Sequence, residues 1–160
     1  MTTTHRPATD LGFLLHKHPD KAQSFSVSSA RTAHVFYPVA TQEECTAALL
    51  LDVDPIALVR GGRDTATLDQ YVNDRPYVAG SMLAVAIGAV FRTAMAGVSA
   101  AQELADSAIP LDLHLPVVPT RGDVGLVTRM FAPLGWDGVA TALPMDPQFP
   151  EWGDAAYVDL

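Results

Sequence analysis

Alternation of apolar and polar residues is clearest in Ser24-Phe-Ser-Val-Ser-Ser-Ala-Arg-Thr-Ala-His-Val-Phe-Tyr37. Phe25 and Val27 alternate with serines, and the segment Ala33–Tyr37 is rich in aromatic and β-branched residues, which pack well on a pleated sheet. This pattern predicts a β-hairpin whose two strands are joined through residues 29–32.

The residues after the hairpin predict further strands. Thr41-Gln-Glu-Glu44 has the spacing of a capping box and predicts a helical turn. The apolar run Ala47–Val53 is short and closes at Asp54-Pro55, which is typical of a buried strand. Leu111-Asp-Leu-His-Leu115 alternates strictly and predicts another strand.

Three segments have the pattern of helices. Thr9 can cap a short helix that ends before Pro19 and carries Leu11, Leu14 and Leu15 on one face. Pro76 suits the first turn of a strongly apolar, buried helix that runs to about Ala96 and stops at Gly97. The third helix is expected from Asp123 to about Leu134.

These elements predict an α+β fold in a single domain, with a mixed or antiparallel sheet packed with about three to four helices, one of them strongly apolar over about 76–96. The chain becomes loop-like beyond Gly135 and ends on Tyr157-Val-Asp-Leu160, which looks like a strand just beginning. We therefore expect residues 1–160 to be one domain of a longer protein, truncated at its C-terminal end.

The charge balance bears on the partners of the protein. The net charge of -8 comes from 10 Lys and Arg against 18 Asp and Glu, so the average field repels phosphate backbones. The basic residues are scattered, without the basic stripe of a nucleic-acid interface. Direct binding of DNA or RNA is therefore not expected.

The compartment is predicted to be the cytoplasm. Cys45 is the single cysteine, which excludes an internal disulfide and fits a reducing environment. The first residues contain no apolar stretch like that of a signal peptide. The longest uncharged run, from Pro76 to Phe91, is shorter than the roughly 20 apolar residues that span a bilayer.

Two groups of residues suggest metal binding, but only by residue type. His16 and His18 precede Asp20, yet residues two apart on a helix point to nearly opposite sides. Asp52-Val-Asp54 resembles a magnesium-binding pair, although a strand end turning at Pro55 explains it equally well. We predict no catalytic residue and no metal site, and a metal-dependent hydrolase that uses these residues is kept as an alternative.

Two segments have the composition of an interface. Gln70-Tyr-Val-Asn-Asp-Arg-Pro-Tyr77 concentrates polar and aromatic groups just before the apolar helix, although Asp74 could simply cap that helix. Phe149-Pro-Glu-Trp-Gly153 places two large aromatic residues in a proline-rich loop, where they either pack down as a lid or meet a partner.

Four strings carry a resemblance to a known family. The chain resembles the N-terminal region of the bacterial 3′-terminal RNA ribose 2′-O-methyltransferase over nearly its whole length. The strings occur in the order of that family and are His5-Arg-Pro-Ala-Thr-Asp-Leu-Gly-Phe-Leu-Leu-His-Lys-His-Pro-Asp20, Ala47-Ala-Leu-Leu-Leu-Asp-Val-Asp-Pro55, Gln70-Tyr-Val-Asn-Asp-Arg-Pro-Tyr77 and Pro150-Glu-Trp-Gly-Asp154.

The resemblance implies a role in repairing RNA that ribotoxins have cut. In this family the C-terminal half methylates the 2′-hydroxyl of the terminal nucleotide with S-adenosylmethionine and a divalent metal, so both cofactors are expected only in that missing half. The N-terminal region is associated with binding Pnkp, a kinase, phosphatase and ligase, and with activating its ligase.

The resemblance thus implies that this chain is a non-catalytic, ligase-activating domain. It would bind Pnkp through the ligase region of Pnkp and would contact RNA only indirectly. The alternative is a module that positions the RNA 3′ end for methylation. We predict contacts with the partner in the N-terminal string and before the apolar helix, at His5, Arg6, His16, His18, Gln70, Tyr71, Asn73, Asp74 and Arg75.

Overall fold

The computed structural model of the protein describes residues 1–60, 76–120 and 123–160, with the backbone alone at 58–60 and 76–79. The chain divides into two compact units, Met1–Asp112 and Leu113–Leu160. Each unit contains one antiparallel sheet.

The first unit contains a four-stranded sheet in the order β1-β4-β3-β2. Its strands are β1 (Thr2–Thr3), β2 (Gln23–Ser28), β3 (Arg31–Ala40) and β4 (Cys45–Val53). Its helices are α1 (Leu11–Leu15), α2 (Pro55–Arg60), α3 (Pro76–Val90), α4 (Arg92–Met95) and α5 (Gln102–Ala105), with a 3-10 turn at Ala8–Asp10.

The predicted hairpin is confirmed as β2 and β3, which pair from Gln23↔Val35 to Ser28↔Arg31. The predicted third strand is present as β4, which pairs with β3 from Phe36↔Ala48 to Arg31↔Val53 without interruption. Its expected burial is wrong for one face, where Leu50 is exposed. The helical turn predicted at residues 41–44 is wrong. The Thr41 N–H donates to the Glu44 carbonyl oxygen at 2.9 Å, which closes a hairpin loop between β3 and β4.

One face of this sheet is covered by two hydrophobic clusters. The first joins Cys45 and Ala47 of β4 to α1 through Leu11 and Leu15. The second joins β3 to α3, and its buried members are Ala33, Val35, Ala86 and Val90. Each large side chain buried in this way stabilises the fold by about 1.5–3 kcal/mol.

The predicted helices are present with different limits. The first consists of the 3-10 turn followed by α1, and Thr9 lies inside the turn without capping it. The apolar helix α3 ends at Val90 instead of near Ala96, and α4 follows before Gly97 turns at φ +72°. Its expected burial is wrong for the outer face, where Val85 is 51% exposed, because among the described side chains of α3 those buried against the sheet are Ala86 and Val90.

The second unit contains a three-stranded sheet in the order β5-β7-β6. Its elements are β5 (Val118–Pro119), α6 (Val124–Phe131), β6 (Thr141–Pro144) and β7 (Asp154–Asp159), with 3-10 turns at Ala132–Leu134 and Pro150–Trp152. The predicted helix from Asp123 is confirmed as α6 and its 3-10 extension. Within the segment that was expected to be loop-like, β6 forms an edge strand, where its terminal Pro144 is tolerated.

The strand predicted at residues 111–115 is wrong as a continuous element. Asp112 exchanges two backbone hydrogen bonds with Thr2, at 2.8 and 2.9 Å, as an isolated bridge. Leu115 exchanges two backbone hydrogen bonds with Leu160, at 2.7 and 3.0 Å. The alternating pattern therefore reflects two separate pairings on either side of the boundary between the units.

The α+β class and the antiparallel sheets are confirmed. The described residues form six α-helices, of which α4 and α5 have only four residues each. Within the described ranges no helix is long and apolar enough to cross a membrane.

Candidate partner-binding surface

The loop after α1 folds back against the helix. His16 ends α1 in the left-handed region, at φ 53° and ψ 39°, and the Lys17 N–H donates to the Gly12 carbonyl oxygen at 3.0 Å. A Cβ on residue 12 would lie 2.7 Å from the Pro19 ring, so the loop can approach α1 this closely only because residue 12 is glycine. This close approach fixes the position of the polar residues that follow.

A groove of about 450 Å³ lies between α1, this loop and Ala100, and we call it the α1 groove. Phe13 forms part of its wall and is 55% exposed. The exposed side chains of His16, His18 and Asp20 line it as well. The α1 groove therefore presents an aromatic ring beside two imidazoles and a carboxylate.

Hydrogen bonds hold the groove walls together. The His16 Nε2 lies 2.6 Å from the Val98 carbonyl oxygen, and the Ser99 hydroxyl donates to the Phe13 carbonyl oxygen at 3.3 Å. Both bonds link α1 to the segment after α4. Within the loop after α1 the Asp20 N–H donates to the His18 Nδ1 at 3.2 Å, which orients that imidazole.

Lys17 was missed by sequence reasoning and is buried, although it lies between the two exposed histidines. Its Nζ lies 5.0 Å from the centre of the Phe25 ring and 5.4 Å from that of Phe91, and donates to the His16 carbonyl oxygen at 3.2 Å. Burial lowers the pKa of the Lys17 ammonium. Because the two rings come from β2 and from the residue that follows α3, no local pattern could have predicted this environment.

Phe13 was also left out of the predicted contacts, but the sequence carried a signal for it. Leu11, Leu14 and Leu15 fill one face of the short helix, which leaves Phe13 on the opposite side. An exposed aromatic residue beside polar groups is a frequent anchor of protein interfaces.

The predicted contact residues fall into three places. The structure brings His16 and His18 together in the α1 groove. His5 is half-buried and Arg6 is exposed before the 3-10 turn, and neither lines the groove. The remaining predicted contacts, Gln70, Tyr71, Asn73, Asp74 and Arg75, lie outside the described residues.

The residues considered for metal binding have other contacts. The Asp54 carboxylate accepts hydrogen bonds from the Ile56 and Ala57 N–H groups at 2.8 and 3.1 Å, so it caps α2. Asp52 is exposed on β4 and pairs across the sheet with Thr32. Within the ranges that the structure covers, no three His, Cys, Asp or Glu side chains come together as a metal-ligand set.

The aromatic pair of the second unit stays at the surface. Phe149 and Trp152 stack on each other with ring centres 4.6 Å apart, and Trp152 is 57% exposed. In the same unit the His114 Nε2 lies 2.6 Å from the Asp159 carboxylate. Phe149 and Trp152 therefore form an exposed pair and do not pack down as a lid.

A groove that places an exposed aromatic ring beside polar groups, on a chain with a net charge of -8, is the kind of surface by which one protein binds another. The comparison with known families agrees with this class. The family model described as the RNA repair, ligase-Pnkp-associating region of Hen1 matches residues 1–160, and the chain belongs to this family. A search among curated proteins found no match to the chain.

Proposed function

We propose that this chain binds the ligase region of Pnkp and activates the ligase by favouring its adenylation-competent conformation. The observation that carries the proposal is the family match, which covers all of residues 1–160 and describes a ligase-Pnkp-associating region of RNA repair. The chain would act as a binding partner without chemistry of its own.

Activation requires that the chain bind the two conformations of the ligase unequally. A tenfold shift of the equilibrium corresponds to about 1.4 kcal/mol of differential binding free energy, which a few contacts can supply. The α1 groove offers contacts of this kind, since Phe13 provides apolar area and His16 and His18 provide hydrogen-bonding groups. We include His5 and Arg6 as neighbouring contacts, and residues 70–75 by their composition.

The methyltransferase chemistry of the repair system, with its S-adenosylmethionine and divalent metal, would belong to another part of a longer cytoplasmic, bacterial protein. The net charge of -8 supports a role in which Pnkp, and not this chain, holds the RNA.

The test is ligase adenylation by Pnkp with and without this chain, at equal Pnkp concentration. We expect the chain to co-elute with Pnkp on a sizing column and to raise the adenylated fraction of the ligase. The matched variants are Phe13→Ala in the α1 groove and Leu134→Ala, which removes a 70% exposed side chain from the second unit. Phe13→Ala should weaken activation by about tenfold, as an interface anchor does, while Leu134→Ala should leave it unchanged.

Two results would contradict the proposal. A chain that neither binds Pnkp nor changes adenylation would remove it. Salt-sensitive binding of single-stranded RNA by the chain alone, together with unchanged adenylation, would favour the RNA-positioning alternative.

A further inference from the structure

Among the described residues, β4 has no paired strand on one of its two sides along most of its length. On its β1 side, Met1 and Ala47 exchange backbone hydrogen bonds, at 2.9 and 2.8 Å, and Thr2 and Thr3 pair with Thr46 and Cys45. Among the described residues nothing pairs with this side of β4 beyond Ala47. The open edge therefore runs over residues 48–53.

The direction of the backbone groups follows from the same bonds. Backbone groups of alternate residues point to the same side of a strand. Because Ala47 directs its N–H and C=O toward β1, Leu49 and Leu51 direct theirs to the same side, where the edge is open. Ala48, Leu50 and Asp52 face β3 instead, with which they pair.

Within the described residues, this edge has no bulge, lysine or proline of the kind by which many sheets avoid pairing with other chains. Edge strands are usually shortened, kinked by a bulge, or marked by lysine or proline. The opposite edge strand, β2, has such a bulge between Ser26 and Ser28. The open part of β4 pairs with β3 without interruption, and it exposes Leu50, whose exposed fraction is 58%.

The charges around this edge indicate what would bind there. Asp52 and Asp54 are exposed at one end of β4, and Glu43 and Glu44 are exposed at the other. Among the described residues Asp52 forms no ion pair. A second copy of the chain would bring the same charge of -8, whereas a segment with basic residues would complement these carboxylates.

We propose that the open edge of β4 receives an extended segment of the partner protein, which adds to the sheet as a further strand. The segment carries an apolar residue that covers Leu50 and a basic residue near Asp52. This mode of recognition combines backbone hydrogen bonds with side-chain contacts on alternate positions. It rests on the proposed binding of Pnkp and specifies how one part of that interface is made.

Amide hydrogen exchange of the full chain, alone and with Pnkp, tests the proposal directly. In the free chain the Leu49 and Leu51 amides should exchange fast, while those of Ala48, Leu50 and Asp52 are protected by β3. In the complex the Leu49 and Leu51 amides should become protected as well. Amides of Leu49 and Leu51 that are already protected in the free chain, or that stay unprotected in the complex, would overturn the proposal.

Two lysine variants supply the matched binding test. Leu50→Lys places a charge on the exposed face of β4 and should weaken Pnkp binding by about tenfold, as loss of a buried apolar contact does. Ser26→Lys places the same charge at an exposed position of β2 and should bind like the unchanged chain. Equal affinity of both variants would contradict strand addition and leave the proposed function intact, whereas failure of the unchanged chain to bind Pnkp would remove both.

Discussion

At the residue scale, Lys17 shows how a charged side chain can form part of a core. Its alkyl chain is buried while its ammonium lies over two aromatic rings, an interaction worth about 0.5–2 kcal/mol. Lys17→Met should keep the packing and stay within about 1 kcal/mol of the unchanged protein in its free energy of unfolding. Lys17→Ala should lose about 1–3 kcal/mol because buried methylene groups are removed. Denaturant unfolding measures both, and equal stability of the two variants would contradict the packing role.

The lowered pKa of Lys17 predicts a pH dependence of stability. Because the unfolded chain keeps this proton up to about 10.5 while the folded chain releases it at lower pH, the contribution of Lys17 to the free energy of unfolding rises with pH in that window. Burial raises the pKa of Tyr37, which acts in the opposite direction above pH 10. Comparing the pH dependence of stability of the unchanged protein with that of Lys17→Met isolates the contribution of the lysine, since Tyr37 is present in both proteins. Any stability advantage of the Met variant should shrink between pH 7 and pH 10, and a constant difference would contradict the shift.

His16 combines a left-handed backbone with a hydrogen bond to Val98. The free energy of unfolding of His16→Gly should stay within about 1 kcal/mol of that of the unchanged protein. Relief of the left-handed backbone strain should offset the loss of the hydrogen bond to Val98. His16→Val should lose about 2–3 kcal/mol, since a β-branched residue is strained at this φ. Thermal or denaturant unfolding measures these changes. Equal stability of the two variants would argue against the αL geometry.

At the element scale, the sequence predicted elements whose contacts are local and missed those that depend on distant partners. The β2–β3 hairpin and α6 follow from short-range alternation and periodicity, and both are present. The prediction of a helical turn at residues 41–44 was wrong because a threonine with a glutamate three residues later can also close a hairpin loop. The sequence predicted His16 and His18 as contact residues of the α1 groove, but it did not predict the shape of the groove. That shape depends on the close approach of Pro19 to Gly12 and on the hydrogen bond between His16 and Val98.

The packing of α3 on the sheet gives a prediction about this element. Ala86 is fully buried against the cluster that contains Ala33 and Val35, whereas Ala89 is exposed on the same helix. Ala86→Leu should lower the free energy of unfolding by about 1–3 kcal/mol through overpacking. Ala89→Leu should change it by less than about 0.5 kcal/mol. Denaturant unfolding of both variants checks the register of α3, and the reverse order of effects would show that the other face of the helix meets the sheet.

At the scale of the whole molecule, the charge of -8 predicts how the chain finds its partner. Complementary charges act mainly on the association rate, and salt screens them because the Debye length falls to about 3 Å at 1 M. The association rate with Pnkp should therefore drop by about tenfold or more between low and high salt, with a much smaller change in the dissociation rate. Stopped-flow or surface-based kinetics measure both rates.

The double variant Glu43→Gln/Glu44→Gln identifies which acidic residues contribute to this effect. Both residues are exposed in the loop before β4, so the variant should fold with unchanged stability. If the partner approaches the β4 edge, the variant should associate more slowly than the unchanged chain at low salt and equally fast at high salt. An unchanged rate at low salt would place the approaching basic surface elsewhere on the chain. A rate that does not depend on salt in either protein would show that the acidic character serves another purpose than attracting Pnkp.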